Sequence, residues 1–373
     1  MIKFTCPYCY GVHDILSSGL KCSYNIPGRS ERCAKTVKKD PNGWIPDANK
    51  ASCMKCTLAK KSIFCNVVNK EIPSDFLMGK NLSIALIGAK ASGKSNYIGV
   101  LVNEIKKKMC ASFNCILNLS ASEESKYYYD EHYANPLFKN GRVVDATSQE
   151  DIPPLIFPLR FMDKKNRITK VTALSFYDTA GENLDSTSDI LVNNRYIPNA
   201  DGIILLLDPL QIPAIRQKLG GKMDLPPQNT DTVEILSRIV QNIRDVKNIK
   251  GTIKTPLALA FTKIDALEAF DVLREDSCLK EESEHLKSGS FVLSDFESVN
   301  VEIQDLLENW LDSEILQQVK NFNNYSFFGL TALGGVPTDK GRKLHDGKVN
   351  PRRVLDPLLW ILAQNKYIKT VKR

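Results

Sequence analysis

The chain has 373 residues, 43% hydrophobic and 25% charged, with a formal net charge of +7. That balance is ordinary for a globular chain of one large or two ordinary domains, and there is no internal repeat or low-complexity tract. No apolar run approaches the roughly 18–20 residues that cross a bilayer, and the start MIKFTCPYCY lacks a secretory apolar core, so a cytoplasmic protein is expected.

Seven of the ten cysteines lie in the first 65 residues: Cys6, Cys9, Cys22, Cys33, Cys53, Cys56 and Cys65. A reducing compartment disfavours disulfides, so such a cluster points to metal. Cys6-Pro7-Tyr8-Cys9 and Cys53-Met54-Lys55-Cys56 are two C-x-x-C knuckles, each able to offer two thiolates to one face of a tetrahedral Zn²⁺. Cys6, Cys9, Cys53 and Cys56 are the first choice of ligands; Cys22 and Cys33 are alternative partners for Cys6 and Cys9. Cys65 would complete a ribbon with position 68, but that residue is Val68. Residues 1–78 have many turn formers and little apolar material, so they need a metal staple to fold. They hold twelve Lys/Arg against six Asp/Glu, nearly the whole net charge. That excess suits a solubilising surface or, alternatively, nucleic acid or an acidic partner. Ile72-Pro73-Ser74 reads as a linker.

Beyond it apolar runs alternate with amphipathic ones. Strands are expected at Asn81–Gly88, Leu155–Met162, Val171–Tyr177, Gly202–Leu207, Leu257–Thr262 and Tyr325–Leu330, the second and third forming an antiparallel hairpin around Asp163–Asn166. Helices are expected at Asn96–Lys108, Thr232–Lys247, Val299–Asn321 and Val354–Gln364. The alternation predicts a doubly wound α/β fold with a mostly parallel sheet.

Gly88-Ala89-Lys90-Ala91-Ser92-Gly93-Lys94-Ser95 fits G-x-x-x-x-G-K-[ST] between a strand and a helix. Glycines there let backbone N–H groups face phosphates, and the helix N-terminus adds positive potential. Lys94 is expected to reach the β- and γ-phosphates, and the Ser95 hydroxyl to bind Mg²⁺. Gly88, Ala91, Ser92, Gly93 and Asn96 complete the phosphate side, with Lys90 an additional candidate. Asp178-Thr179-Ala180-Gly181 ends a strand as D-x-x-G: Asp178 can hold Mg²⁺ through water and the Gly181 amide can meet the γ-phosphate. Thr262-Lys263-Ile264-Asp265 ends another strand as [NT]-K-x-D. A carboxylate at Asp265 can accept hydrogen bonds from guanine N1–H and the 2-amino group, whereas adenine offers neither. The Lys263 stem can cover the base, and Thr331-Ala332-Leu333 can present an N–H to the guanine oxygen. GTP and GDP are therefore the expected ligands.

The order of these motifs resembles the translation-factor and Ras-like class of P-loop GTPases over roughly residues 80–373. The resemblance implies a sheet with its second strand antiparallel and the nucleotide at the strands' C-terminal ends. A closer resemblance is to bacterial double-GTPase proteins of the TRAFAC clade, which combine a cysteine-rich zinc module with a large G domain. They carry a C-terminal stretch like Asn350-Pro351-Arg352-Arg353-Val354-Leu355-Asp356-Pro357-Leu358-Leu359-Trp360 here. That family implies protein partners in bacterial conflict or phage-defence systems. The chain then divides into a zinc-ribbon-like module, 1–78, and a Ras-like G domain, 79–373, with insertions near 211–230 and 269–294.

One departure concerns hydrolysis. Ras-like members place Gln after D-x-x-G to orient the attacking water, and this chain has Glu182. A carboxylate there can polarise water but is repelled by the γ-phosphate, so slow or partner-stimulated hydrolysis is expected. Thr147 is the first choice for the Mg²⁺-binding switch threonine, with Thr169 and Thr172 as alternatives. The leading reading is a GTP-hydrolysing switch with Lys94, Glu182 and Thr147 in catalysis. The alternatives are a non-hydrolysing GTP-dependent scaffold and a zinc protein that binds nucleic acid under nucleotide control.

Overall fold

The computed structural model describes residues 3–14, 21–22, 63–64, 67–68, 70–72, 82–89, 91–119, 122–145, 154–176, 196–222, 225–228, 232–310, 314–339 and 341–372. Near its start an antiparallel hairpin joins β1 (Lys3–Thr5) to β2 (Val12–Asp14) across a turn at 7–9. Three two-residue strands, β3 (Lys21–Cys22), β4 (Ile63–Phe64) and β5 (Glu71–Ile72), form a second small antiparallel sheet.

The main sheet has seven strands: β6 (Leu82–Gly88), β7 (Cys115–Leu117), β8 (Leu155–Met162), β9 (Ile168–Phe176), β10 (Gly202–Leu207), β11 (Leu257–Phe261) and β13 (Tyr325–Gly329). Their spatial order is β13-β11-β10-β6-β9-β8-β7. The first five pair in parallel, whereas β8 runs antiparallel to both neighbours. All six expected strands are present, and β8–β9 is the expected hairpin. The edge strand β7 is not evident from the sequence, since three residues are too few to show an alternation. A short pair, β12 (Phe291–Val292) with β14 (Thr370–Val371), ties the C-terminus beside the 284–310 region.

The central strands are apolar on both faces because both faces are covered. Leu82, Ile84 and Leu86 of β6, with Ile204 and Leu206 of β10, join one core layer; Ala85, Ile87, Ile203, Leu205 and Leu207 join the other. The first layer packs under α1 (Lys94–Glu104) and the helix Asp356–Gln364, whose Trp360 is fully buried. The second packs under the helices Thr232–Lys247, Leu293–Trp310 and Glu314–Val319. The expected helix Val299–Asn321 thus begins earlier, at Leu293, and is described as two helices; residues 311–313 lie outside the described set.

Two wide helical stretches mark the α1 side. Ile105–Met109 and Asp130–Lys139 form π-type turns, and Pro136 sits inside the second, where the looser turn tolerates its missing N–H. That second stretch lies against Gly99: a Cβ there would come within 2.6 Å of Leu137 Cδ1. Tyr129 reaches past it to donate to the Gly99 carbonyl at 2.9 Å. Among the described residues no helix is long and apolar enough to cross a membrane.

Candidate nucleotide-binding site

Four parallel strands end on one edge in register. Leu206 lies opposite Gly88, Leu207 opposite Phe261, and Phe261 opposite Gly329. The residues that follow these ends, 88–95, Asp208, 262–265 and 331–334, are therefore gathered without any long side chain having to reach. In an open parallel sheet this C-terminal edge is where ligands bind.

The turn after β6 is shaped by backbone. Ala91 has φ 62° and Gly93 φ 88°, both in the left-handed region that disfavours ordinary side chains. Gly88 must lack a side chain: a Cβ would stand 2.4 Å from Ser92 Oγ and 3.1 Å from the Leu206 carbonyl oxygen. Gly93 is the N-cap of α1 and has no side chain with which to cap it, and the positive end of a helix favours an anion. The Ser92 hydroxyl is buried with no hydrogen-bond partner among the described residues, as expected of a group that awaits a ligand. Lys94 is buried against this turn, and Ser95 is half-buried beside it.

Thr262 and Lys263 brace the turn from β11. The Thr262 hydroxyl lies 3.0 Å from the Ser92 carbonyl, and its N–H donates to Leu207 O at 2.9 Å. Lys263, at φ 54°, aims its ammonium inward, 3.0 Å from the Ala91 carbonyl and 2.6 Å from Asp208 Oδ2. Asp208 is buried, and its other oxygen accepts the Leu210 N–H. Sequence reasoning missed Asp208; the signal was an acid directly after the all-apolar run Gly202–Leu207.

Asp265 opens the helix Ile264–Ala269 and is half-buried. Burial raises its pKa, while the Thr331 hydroxyl, its own amide and the cations Arg352 and Lys263 draw it back down. Thr331 is buried and exchanges two backbone hydrogen bonds with Arg352, at 3.1 and 3.0 Å. Its hydroxyl accepts the Gly334 N–H, and Asn350 N–H donates to Leu333 O at 2.8 Å. The 331–334 turn is thus clamped by 350–353, with Ala332 and Leu333 held between. Arg352 also pairs with Glu268, one helical turn beyond Asp265. Its place beside the site was the second feature that sequence reasoning did not find.

The Asn96 side chain is engaged by backbone: its Oδ1 accepts the Val144 N–H at 2.9 Å. Val143 N–H in turn donates to Arg342 O, and Leu344 N–H to Gly141 O, so the stretch 141–144 is tied both to α1 and to the segment after the base turn. Lys90, Thr147, Asp178, Gly181 and Glu182 lie outside the described residues. The alternative threonines are strand residues: Thr169 donates to Phe161 O across the hairpin, and Thr172 is fully buried in β9.

In the first knuckle the Tyr8 N–H points at Cys6 Sγ, 3.5 Å away, and Cys6 and Gly11 close the loop at 2.9 Å. Amide donation to sulfur stabilises a thiolate, the form in which Cys6 could bind a thiophilic metal. The loop docks on the main body: the Tyr10 carbonyl accepts from Asn199 Nδ2 at 3.0 Å, and the Tyr10 and Tyr196 rings lie 5.8 Å apart. Cys33, Cys53, Cys56 and Cys65 lie outside the described residues.

The chain is 26% identical over 323 residues to SaeC of Mycolicibacterium smegmatis, a putative ESX-1 scaffolding and assembly protein, covering 80% of this chain and 79% of that protein. The GTP-bound GTPase-like domain of S. cerevisiae Ski7 aligns at 15% identity and TM-score 0.30, over 77% of this chain and half of that one. A nucleolar GTP-binding protein 1 from Plasmodium falciparum aligns at 17% identity and TM-score 0.28, over 77% and 89%. The G domain of the T. maritima iron transporter FeoB aligns at 12% identity and TM-score 0.25, over 68% and 89%. The Double-GTPase 2 family model matches residues 82–333, which span every strand of the main sheet and all of the nucleotide site up to the base turn, and the chain belongs to that family.

Proposed function

We propose that this protein is a GTP-driven switch that hydrolyses GTP to GDP and phosphate and works with partner proteins. The carrying observation is that the phosphate turn, Lys263 and Asp265 converge on one sheet edge, with the Lys263 ammonium joining the two halves. In this reading the turn's amides and Lys94 take the phosphates, and Asp265 accepts guanine N1–H and the 2-amino group. Ser95 and Asp178 would hold Mg²⁺, which when bound neutralises charge on the β- and γ-phosphates. Gly181 would meet the γ-phosphate, Glu182 would orient the attacking water, and Thr147 would serve as the switch threonine on Mg²⁺. Departure of the γ-phosphate releases Gly181 and resets the segment for a partner.

Calorimetry on nucleotide-stripped protein with Mg²⁺ tests the base assignment. GTP is expected to bind tightly and ATP not at all; equal ATP binding would make this an ATP site. Phosphate release measured over many turnovers tests hydrolysis.

A second reading, a GTP-dependent scaffold that does not hydrolyse, is favoured by Glu182, whose charge opposes the γ-phosphate. The scaffolding role attached to SaeC supports protein partners under either reading. Turnover by the isolated protein would remove the second reading. We further assign Zn²⁺ to Cys6, Cys9, Cys53 and Cys56; metal analysis should find zinc bound, and Cys6→Ser should lose it. The bacterial-conflict setting follows from family resemblance, and unchanged phage sensitivity on gene deletion would remove it.

A further inference from the structure

Behind the base turn lies a buried ionic cluster that nucleotide chemistry does not require. Arg353 is 4% exposed and held at φ 55°. Its Nη1 donates to Asp295 Oδ2 at 3.0 Å and to Asp356 Oδ2 at 3.1 Å; its Nη2 donates to Asp295 Oδ1 at 2.9 Å. His285 stands behind Asp295, with Nε2 3.7 Å from Oδ2, while its Nδ1 accepts the Val292 N–H. His285, Asp295 and Asp356 present ligand atoms within 4.8 Å of one another, as a cation site would. The guanidinium already sits against both carboxylates and supplies the positive charge, so the cluster is an arginine site.

Its position is what matters. Asp295 belongs to the helix Leu293–Trp310, and Asp356 starts the helix Asp356–Gln364. Arg353 follows directly on Arg352, the residue whose backbone exchanges two hydrogen bonds with Thr331. The same loop accepts no latitude opposite: a Cβ on Gly334, which sits at φ 82°, would fall 2.0 Å from the Asn350 carbonyl oxygen. The base turn therefore rests on 350–353, and 350–353 is pinned to two core helices through one side chain. The Asp356 charge is also felt on the phosphate helix. Tyr97, on α1, is fully buried, and its hydroxyl and Asp356 Oδ1 have no hydrogen-bond partner among the described residues. Burial first, then the Asp356 charge, push the Tyr97 phenol upward. Burial also works against the charge on Arg353, but Asp295 and Asp356 outweigh it and raise its pKa.

We infer that Arg353 is a positioning residue for guanine recognition: through the Arg352–Thr331 bridge it fixes the 331–334 turn, and with it Leu330, whose carbonyl accepts the N–H of Ile264 beside Asp265. The inference rests on the reading of Asp265 as the guanine reader. A residue that only stabilised the fold would weaken every nucleotide alike. A positioning residue weakens the part of binding that depends on the base.

The test compares GTP with inosine triphosphate, which lacks the 2-amino group and so forfeits one of the two bonds to Asp265. Wild-type full-length protein should prefer GTP by about tenfold or more, the worth of one charge-assisted hydrogen bond. Arg353→Met should bring that ratio to within about threefold of unity, with inosine triphosphate, which keeps one bond to Asp265, weakening by less than GTP. Asp295→Asn, which leaves Arg353 paired with Asp356, should shift the ratio the same way by less, and serves if Arg353→Met does not fold. Val299→Ala, a cavity on the same helix as Asp295, should lower the melting temperature without moving the ratio. Hydrogen exchange should show faster exchange at Thr331 and Gly334 in Arg353→Met, with β11 unchanged. A preserved ratio in both cluster variants would overturn the inference. A wild type with no preference for GTP over inosine triphosphate would instead overturn the reading of Asp265.

Discussion

The two sides of the proposed nucleotide site are held by different means. On the phosphate side, backbone conformation does the shaping: left-handed Ala91 and Gly93, and a Gly88 that admits no Cβ. On the base side, side-chain ion pairs do it: Lys263 with Asp208, Arg352 with Glu268, and Arg353 with Asp295 and Asp356. The chemistry of the ligand explains the difference. Phosphate is common to every nucleotide, and a nest of amides at a helix N-terminus binds it without discrimination. A base is distinguished by two or three polar atoms on one edge, so its reader must be a side chain held to within fractions of an ångström. Side chains are held by other side chains, and these lie far apart in sequence.

If this division is correct, Lys94→Ala has the largest effect and is blind to the base. Removing one partner of a buried charge pair costs about 2–5 kcal/mol, or about thirtyfold to several-thousandfold in affinity. GTP and inosine triphosphate should weaken together in calorimetry, with their ratio unchanged; unchanged binding would end the nucleotide-site assignment. Asp265→Asn is the opposite case. GTP should weaken by on the order of a hundredfold, with inosine triphosphate less affected, because a misplaced amide replaces the carboxylate that both guanine donors require.

Asp265 also carries a pH signature. Its folded-state pKa is raised above the ordinary 3.8, by burial before all else. A group shifted this way favours the folded state below its unfolded pKa, and that advantage is lost as pH rises through the folded value. At neutral pH the ionised carboxylate therefore opposes the nucleotide-free fold. Asp265→Asn should melt at a higher temperature than wild type at pH 7 without nucleotide, and the gap should close as pH falls into the carboxylate range. Stability gained where binding is lost is the usual mark of a functional residue.

Asp208→Ala probes the joint between the two sides. It removes the carboxylate that fixes the Lys263 ammonium, while the Ala91 carbonyl stays in place. Leaving a part-buried cation short of its partner should cost about 3 kcal/mol in denaturant unfolding. Affinity for GTP and inosine triphosphate should fall alike, by about tenfold, since Lys263 braces the phosphate turn as well as the base. A drop confined to GTP would place Lys263 on the base side alone.

The same division explains which parts are legible in the amino-acid sequence. The phosphate turn is eight contiguous residues whose types are dictated by their own backbone, so Gly88–Ser95 can be recognised from residue types and spacing alone. Strands β6, β8, β9, β10, β11 and β13 are legible because burial on one or both faces fixes their composition. The proposed base side is legible only at Thr262–Asp265, where the residue proposed to read the base follows a strand end. Its supports are not: Asp208 is 55 residues from Lys263, Glu268 is 84 from Arg352, and Asp295 is 58 from Arg353. Asp208 carries a local signal in its place after Gly202–Leu207, but an acid after a strand or on a helix is ordinary by itself and names no partner. Asn96 shows the converse. Its place beside Ser95 suggests a phosphate contact, and nothing in the sequence marks the bond that its Oδ1 accepts from Val144.

That bond of Asn96 gives the smallest expected effect and the finest test of the comparison. Val144 belongs to the stretch 141–144, which also pairs with Arg342 and Leu344 in the segment that follows the base turn. The Asn96 carboxamide thus hydrogen-bonds this stretch to the phosphate helix. Asn96→Ala deletes a single half-buried acceptor, worth about 1 kcal/mol. If the phosphate side is shaped by backbone alone, affinity for GTP and for inosine triphosphate should stay within about twofold of wild type. The change should appear instead as faster hydrogen exchange at Val143 and Val144. A fall in GTP affinity with the ratio preserved would show that the 141–144 stretch presses on the phosphates. A fall with the ratio lost would show that strain passes through Arg342 and Leu344 to the base turn, and the two sides would then be mechanically one.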